Sequence, residues 1–243
     1  MNLIIDIGNS NAKLALYSEG RKAGGARFQD LSPEMLEKFI STESIEKAIL
    51  SSTGGIPEFI KEFDKSRIPF LHVLSHKSEF PFKIEYQTPE SLGTDRLAGV
   101  AGAIKYFPGF EILVIDAGTA ITFDFISDNI YKGGNISPGI SMRFKALNTF
   151  TQRLPLVSES NEFQSPGRNT HEAIGAGVIT GVIYEINEYI RTFKKKHSGF
   201  KIILTGGDGE FITKRIEHHV TFLPDIVSDG LNYILEYNAQ KRV

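Results

Sequence analysis

Two aspartates in this chain stand where an acid could act on a charged ligand. Asp6 closes the apolar run Leu3-Ile4-Ile5, and Asp116 closes Leu113-Val114-Ile115. Sliding the sequence by 110 positions lays Asp6 on Asp116, Gly8 on Gly118 and Asn9 on Thr119. In each copy a buried strand should end at the acid, so that the carboxylate emerges at the strand tip. The glycine lets backbone N–H groups approach a ligand closely. Asn9, Ser10, Asn11 and Thr119 add short polar side chains, and successive N–H groups in a turn form an anion-binding concavity. The ligand this favours is phosphate. A bare carboxylate about 4 Å from a phosphate charge would be repelled by about 4 kcal/mol at an effective dielectric of about 20. Such an acid therefore requires a cation between it and the phosphate, usually Mg²⁺ with waters retained. Either copy alone could be an ordinary β-hairpin with an Asp-x-Gly turn. Two copies with the same internal spacing, one per half of the chain, favour phosphate binding.

A third loaded stretch is Gly93-Thr94-Asp95-Arg96, at the expected start of a helix. Asp95 reads either as a partner for the helix dipole or as a general base. Arg96 reads either as a solvated cation or as an anion clamp. Tyr131–Ile140 is glycine-rich and should bring backbone close to a ligand or a neighbouring subunit, unless it merely leads into a core helix. Thr205-Gly206-Gly207-Asp208-Gly209 follows a buried run; it could lie under a nucleotide base or ribose, or be a plain turn into a helix.

The elements that must position these residues alternate between strand and helix patterns, which argues an α/β fold. Leu3–Ile7 and Ala12–Tyr17 form the first hairpin, and Gly20–Phe28 leads through a further short strand. Ser32-Pro33-Glu34 has the signature of a helix start, with Ser as cap and Pro in the first turn. Lys47–Ser51 reads as a strand, Pro57–Phe63 as a helix and Phe70–Leu74 as a strand. Phe82–Tyr86 alternates like an edge strand, Thr88–Gly93 is loop, and Arg96–Tyr106 is helical behind Thr94 or Asp95. Phe107-Pro108-Gly109-Phe110 is the expected boundary between domains at 1–108 and 109–243. Beyond the second hairpin come a helix at Ser141–Thr149, a polar loop at Pro155–Pro166 and a long helix from Glu172 to about Lys196. Gly175, Gly177 and Gly181 on that helix allow close approach by a neighbour. Strands at Lys201–Thr205 and Val220–Leu223 precede a closing helix from Asp225 to about residue 238, which can pack back on the N-terminal domain.

Composition removes other classes. The chain has 243 residues, 41% hydrophobic and 23% charged, which suits one large or two small globular domains. A net charge of −2 gives no drive towards nucleic acid or acidic membranes. The absence of cysteine excludes disulfides, thiolate metal sites and cysteine nucleophiles. No apolar run reaches the length of a membrane span. The chain enters a strand at once, with Asp6 early in it, so a secretory leader is not expected and the cytoplasm is the expected location.

Six ordered motifs carry a resemblance: Asp-x-Gly-Asn-Ser-Asn at 6–11, Gly-Thr-Asp-Arg at 93–96, Asp-x-Gly-Thr-Ala at 116–120, Gly-Gly-x-Ile-x-Pro-Gly-Ile at 133–140, Gly-Arg-Asn-Thr at 167–170 and Thr-Gly-Gly at 205–207. In that order they closely resemble the type III pantothenate kinases over nearly the whole chain. The resemblance implies two ribonuclease-H-like domains of the actin-like ATPase type around an ATP cleft. It implies ATP-dependent phosphorylation of pantothenate to 4′-phosphopantothenate in a homodimer, with a divalent ion on ATP and a monovalent cation, K⁺ or NH₄⁺. By the same resemblance Asp6, Ile7, Gly8, Asn9, Ser10, Asn11, Ala12 and Lys13 form the first phosphate loop, and Thr119 contacts ATP. Asp95 matches the acceptor of the pantothenate hydroxyl proton. Tyr86, Gly93, Thr94 and Arg96 line the substrate pocket. Asp116 matches the monovalent-cation ligand, and Thr170 a pantothenate contact made across the dimer. One departure is Gly99, where the family commonly has asparagine. Alternatives on the same scaffold are another small-molecule kinase and a non-enzymatic ATP-dependent regulator or filament protein.

Overall fold

The computed structural model describes residues 1–61, 67–158, 163–197 and 199–241. The chain divides into two units, one of Met1–Gly109, Asn129–Lys132 and Asp225–Val243, the other of Phe110–Asp128 and Gly133–Pro224. In chain order the elements are β1 (Asn2–Ile7), β2 (Ala12–Ser18), β3 (Arg21–Phe28), α1 (Pro33–Ile40), β4 (Lys47–Ser52), α2 (Glu58–Lys61), β5 (Leu71–Val73), β6 (Lys83–Ile84) and α3 (Thr94–Tyr106). There follow β7 (Ile112–Ala117), β8 (Ala120–Ser127), β9 (Ile130–Pro138), α4 (Ile140–Thr149), α5 (Thr170–Lys196), β10 (Lys201–Thr205), α6 (Gly209–Thr213), β11 (Thr221–Phe222) and α7 (Ile226–Gln240). The helix expected over Pro57–Phe63 is seen as α2, and Phe63 lies outside the described residues. The glycine-rich stretch after Tyr131 is itself a nine-residue strand, β9. The edge strand expected at Phe82–Tyr86 is only the two residues of β6, paired in parallel with Ile130–Tyr131.

Each unit is built on a sheet of the same order. In the first, β3-β2-β1-β4-β5 places β1 antiparallel to β2 and parallel to β4. In the second, a six-stranded sheet, β9-β8-β7-β10-β11 with the short β6 added beyond β9 places β7 antiparallel to β8 and parallel to β10. The sequence repeat is thus a repeat of topology, with an acid-tipped strand central in each sheet. The copies part at the turn. Ile7 pairs with Ala12, whereas Ala117 pairs with Ile121, so the second turn is one residue shorter. The strands are apolar on both faces because both are covered. Leu3, Ile5, Leu50 and Leu36 belong to one buried cluster, and Leu113, Ile115, Ile186 and Leu204 to another.

The closing helix α7 lies in the first unit, packed on α3 with almost no side chain between them. A Cβ on Gly230 would fall on the Ala98 carbonyl oxygen, and one on Gly102 on the Ile226 carbonyl. Polar contacts fix the rest of the helix. The buried Asp229 carboxylate accepts from Tyr17 OH at 2.7 Å and from Tyr106 OH at 2.9 Å. Burial and then the Asp229 bond and charge push the Tyr106 hydroxyl up to about 12. Further along, Glu236 accepts from Asn2 Nδ2 and Lys47 Nζ. Burial raises that carboxyl, but the two hydrogen bonds and the lysine charge outweigh it, and the net shift is downward. The close packing gives a prediction of sign. Gly→Ala in an open helix position should stabilise by up to about 1 kcal/mol, as at Gly181, where nothing lies within 4 Å of the added carbon. Gly230→Ala should instead overpack the α3–α7 contact at a cost of about 1–3 kcal/mol. Thermal melts of the two variants should therefore shift in opposite directions.

Candidate functional site

In the first unit Asp6 stands near the end of β1 and Asp95 in the first turn of α3. Asp6 is half-buried at the tip of β1, and the turn behind it is closed by the Gly8 N–H donating to the Asn11 carbonyl at 3.0 Å. Asn9 Oδ1 accepts from Thr53 Oγ1 at 3.2 Å, and Asn11 Oδ1 from Arg27 Nε at 2.9 Å. The turn's two amides are thereby tied to the residue after β4 and to β3. Across the sheet Lys13 pairs with Asp6 on one side and with Arg27 on the other. Burial raises the Asp6 carboxyl above the ordinary range. The Lys13 charge and a Ser51 hydrogen bond act against the rise, and the Asp95 charge adds to it. Asp6 and Asp95 therefore lie near enough to feel each other.

Asp95 sits in the first turn of α3, one residue inside Thr94. Its Oδ1 accepts from the Arg96 N–H at 2.8 Å, so the helix N-terminus holds the carboxylate in place. A Cβ on Gly93 would collide with that oxygen. Glycine is the residue that lets the carboxylate fold back over the helix start. Arg96 is not solvated: it is 8% exposed and donates from Nη2 to Tyr131 OH at 2.8 Å. Tyr86 is half-buried, its ring 6.1 Å from that of Tyr131. Gly99, the departure from the family pattern, is buried inside α3.

In the second unit Asp116 is likewise half-buried at the tip of β7. Two glycines crowd its turn. A Cβ on Gly139 would meet the Gly118 and Thr119 carbonyls, and the Gly139 N–H donates to Thr119 O at 3.1 Å. Gly206, at φ +92°, lies against Ala117 O and the Asp116 carboxylate. The glycine-rich stretches at 133–140 and 205–209 thus approach the second acidic turn of their own unit. Gly175 is also close-packed, against the Phe163 ring, whereas Gly177 and Gly181 face open space. Thr170 is exposed at the start of α5, behind the Asn169 cap. It stands on the rim of a cavity of about 830 Å³ lined by Arg143, Leu147, Leu154, Arg168 and Val178 among others.

Four residues of the site neighbourhood were not anticipated from sequence: Arg27, Ser51, Thr53 and Tyr131. A signal existed for two. Ile49-Leu50-Ser51 followed by Ser52-Thr53-Gly54-Gly55 is echoed by Ile203-Leu204-Thr205-Gly206-Gly207. In the folded chain Ser51 is the parallel partner of Asp6, and Thr205 that of Asp116. Nothing local marks Arg27 or Tyr131, whose roles arise from strand pairing distant in sequence.

The donor set suits hard cations. Among the described residues no three acidic or histidine side chains gather into a metal cage. A single carboxylate is nonetheless enough for a hard cation whose shell phosphate oxygens and water complete. Among the described residues no helix is long and apolar enough to cross a membrane.

Paired 3-2-1-4-5 sheets, each with an acid-tipped hairpin, define the fold of the actin-like ATPase group of kinases. A glucokinase of the ROK family from Streptomyces griseus, solved with glucose and AMPPNP, shares it at a TM-score of 0.55 and 11% identity, over 98% of this chain and 99% of that one. A Campylobacter jejuni protein described as a Baf family transcriptional activator matches at a TM-score of 0.58 and 26% identity, over 98% of this chain and 99% of its own. The chain belongs to the type III pantothenate kinase family, whose sequence profile matches residues 2–192. The type III pantothenate kinase of Phocaeicola vulgatus is 42% identical over 240 residues, covering 98% of this chain and 99% of that protein.

Proposed function

We propose that this chain transfers the γ-phosphoryl group of ATP to pantothenate, giving 4′-phosphopantothenate at the entry to coenzyme A synthesis. The observation that carries the reading is the gathering of Asp6, Asp95 and the buried Arg96 in one unit of a chain of this family. Asp95 takes the proton of the pantothenate hydroxyl as its oxygen attacks the γ-phosphorus. The new O–P bond forms, the β–γ bridge breaks, and ADP leaves with the bridging oxygen. Asp6 through Lys13 cradle phosphate oxygens with backbone N–H groups, the Lys13 ammonium and the short side chains. Thr119 contacts ATP from its own hairpin. Gly93, Thr94, Arg96 and Tyr86 orient the acceptor. Asp116, with oxygens of its turn, would hold the monovalent cation, and a Mg²⁺ ion would come with ATP. These cations supply neutralisation of phosphate charge, on which phosphoryl transfer depends more than on covalent chemistry.

The same reading makes the working form a cytoplasmic homodimer without nucleic-acid or membrane partners, in which Thr170 serves the neighbouring protomer's substrate. Supporting it, the second unit exposes Ile136 on β9, Phe150 at the end of α4 and Tyr184 on α5, the last 68% accessible. Large apolar side chains left in water are what a subunit contact would cover.

The decisive test is ADP release from purified protein given ATP, Mg²⁺ and K⁺, with and without pantothenate. Release that requires pantothenate is expected. ATP turnover indifferent to pantothenate would favour another kinase or the regulatory role that the Campylobacter neighbour's description raises. The cation assignment has its own test. Asp116→Asn should abolish most of the activation by K⁺ over Na⁺, and an unchanged K⁺ dependence would rule the site out.

A further inference from the structure

Ser51 touches both ends of the site in the first unit. It is fully buried, at 0% exposure, on β4, directly opposite Asp6 in the parallel register. Its hydroxyl stands beside the Asp6 carboxylate across the parallel pair, where it acts to lower that carboxyl's pKa, and its Oγ lies 3.0 Å from Thr94 Oγ1. An ionised carboxylate can only accept, and a hydroxyl has one proton to give. If Ser51 donates to Asp6, Thr94 must donate to Ser51. With Asp6 ionised, the order this favours is Thr94 O–H to Ser51 Oγ, and Ser51 O–H towards Asp6. Thr94 opens α3 and is followed at once by Asp95. One buried hydroxyl thus spans the phosphate-loop acid on a strand tip and the helix start that carries the second acid.

The second unit makes the same choice of side chain. Thr205, 1% exposed on β10, is the parallel partner of Asp116. A buried hydroxyl beside an acidic strand tip is costly to keep without a polar partner. Its occurrence at the equivalent place in both sheets argues that the acid needs it there.

We propose that Ser51 is a positioning residue: it aims the Asp6 carboxylate at the phosphate loop and, through Thr94, keeps that carboxylate in register with Asp95. The inference rests on the kinase reading above for what Asp6 serves, but its geometry is independent of the acceptor. Deleting the hydroxyl leaves Asp6 able to rotate and removes the acceptor of the Thr94 proton, so nucleotide affinity and the transfer step should both suffer.

The experiment is a double-mutant cycle on the full-length chain with Ser51→Ala, Asp6→Asn and the double variant. The readouts are the affinity for Mg²⁺ with a non-hydrolysable ATP analogue, by calorimetry, and kcat with pantothenate. In the wild-type background Ser51→Ala should weaken nucleotide binding by about 10-fold or more, the scale of a hydrogen bond to a charged group. In the Asp6→Asn background the same change should cost less than about 2-fold, because the charge that Ser51 aims is already gone even though the amide oxygen can still accept its O–H. Thermal melts report folding, and if Ser51→Ala does not fold, Ser51→Cys, with a weaker donor, carries the same cycle. Unchanged affinity in a folded Ser51 variant, or losses that simply add across the cycle, would overturn the assignment. A chain that binds nucleotide with the expected coupling yet ignores pantothenate would refute the kinase reading and leave Ser51 in its role.

Discussion

Asp95→Asn is expected to lower kcat by about 10²–10⁴-fold, the scale on which a general base contributes, while ATP affinity changes little. The substitution is close to isosteric, and an asparagine Oδ1 can still accept the Arg96 N–H that fixes the side chain at the head of α3. What is lost is the basic oxygen. The fold should register the change only as a weakened charge–dipole interaction of about 0.3–1 kcal/mol at the helix start. The contrast between a large kinetic loss and a small thermal one is the signature. Steady-state kinetics with pantothenate as the varied substrate, set beside a melt, measures both. A folded Asp95→Asn protein with near-normal turnover would remove Asp95 from the chemistry and leave it as a helix-capping acid.

The acids themselves were legible in the sequence because each advertises itself locally. A β-prone apolar run that stops at Asp before a glycine turn can be read from a dozen residues, and its recurrence after 110 positions doubles the signal. The sheet order was legible only as a class, since strand neighbours are set by packing and not by the runs themselves. The same limit explains the site residues that went unread. Arg27 reaches Asn11 because β3 folds beside β2, and Tyr131 reaches Arg96 across a pairing of β6 with β9. Each link joins segments whose local patterns say nothing of one another. The glycines divide in the same way. Gly206, with its positive φ, sits in a turn that its sequence marks, whereas Gly102 and Gly230 look like weak points in helices until the helices are brought together. On α5 three glycines at helical spacing suggested close packing, and within the described chain Gly175 meets the Phe163 ring while Gly177 and Gly181 stand open to a neighbour.

Asp6→Asn should do two opposite things, and their combination is the sharper test of the site. Activity should fall by about 10²-fold or more, since the carboxylate that would hold a divalent cation against the reacting phosphates is lost. Stability should rise. The Asp6 carboxyl is held above its ordinary range, first by burial and with help from Asp95, despite Lys13 and Ser51. A folded-state pKa raised above the unfolded one means that the native chain binds the proton more tightly. The stability that protonated Asp6 contributes is complete at low pH and is lost as pH rises through the raised value. Above it the native state carries a desolvated charge. Asparagine carries none, so the variant should melt higher than the parent at about pH 8, and the difference should shrink towards about pH 4, where an unfolded aspartate also begins to protonate. Melts across that range, without nucleotide, read the effect directly. A variant that melts lower at every pH would mean that Asp6 is a structural acid satisfied by Lys13 and Ser51. A rise that ignores pH would trace to packing rather than charge. The expected pattern, inactive and more stable only where the carboxylate is ionised, is that of a group kept for its ligand at the expense of the fold.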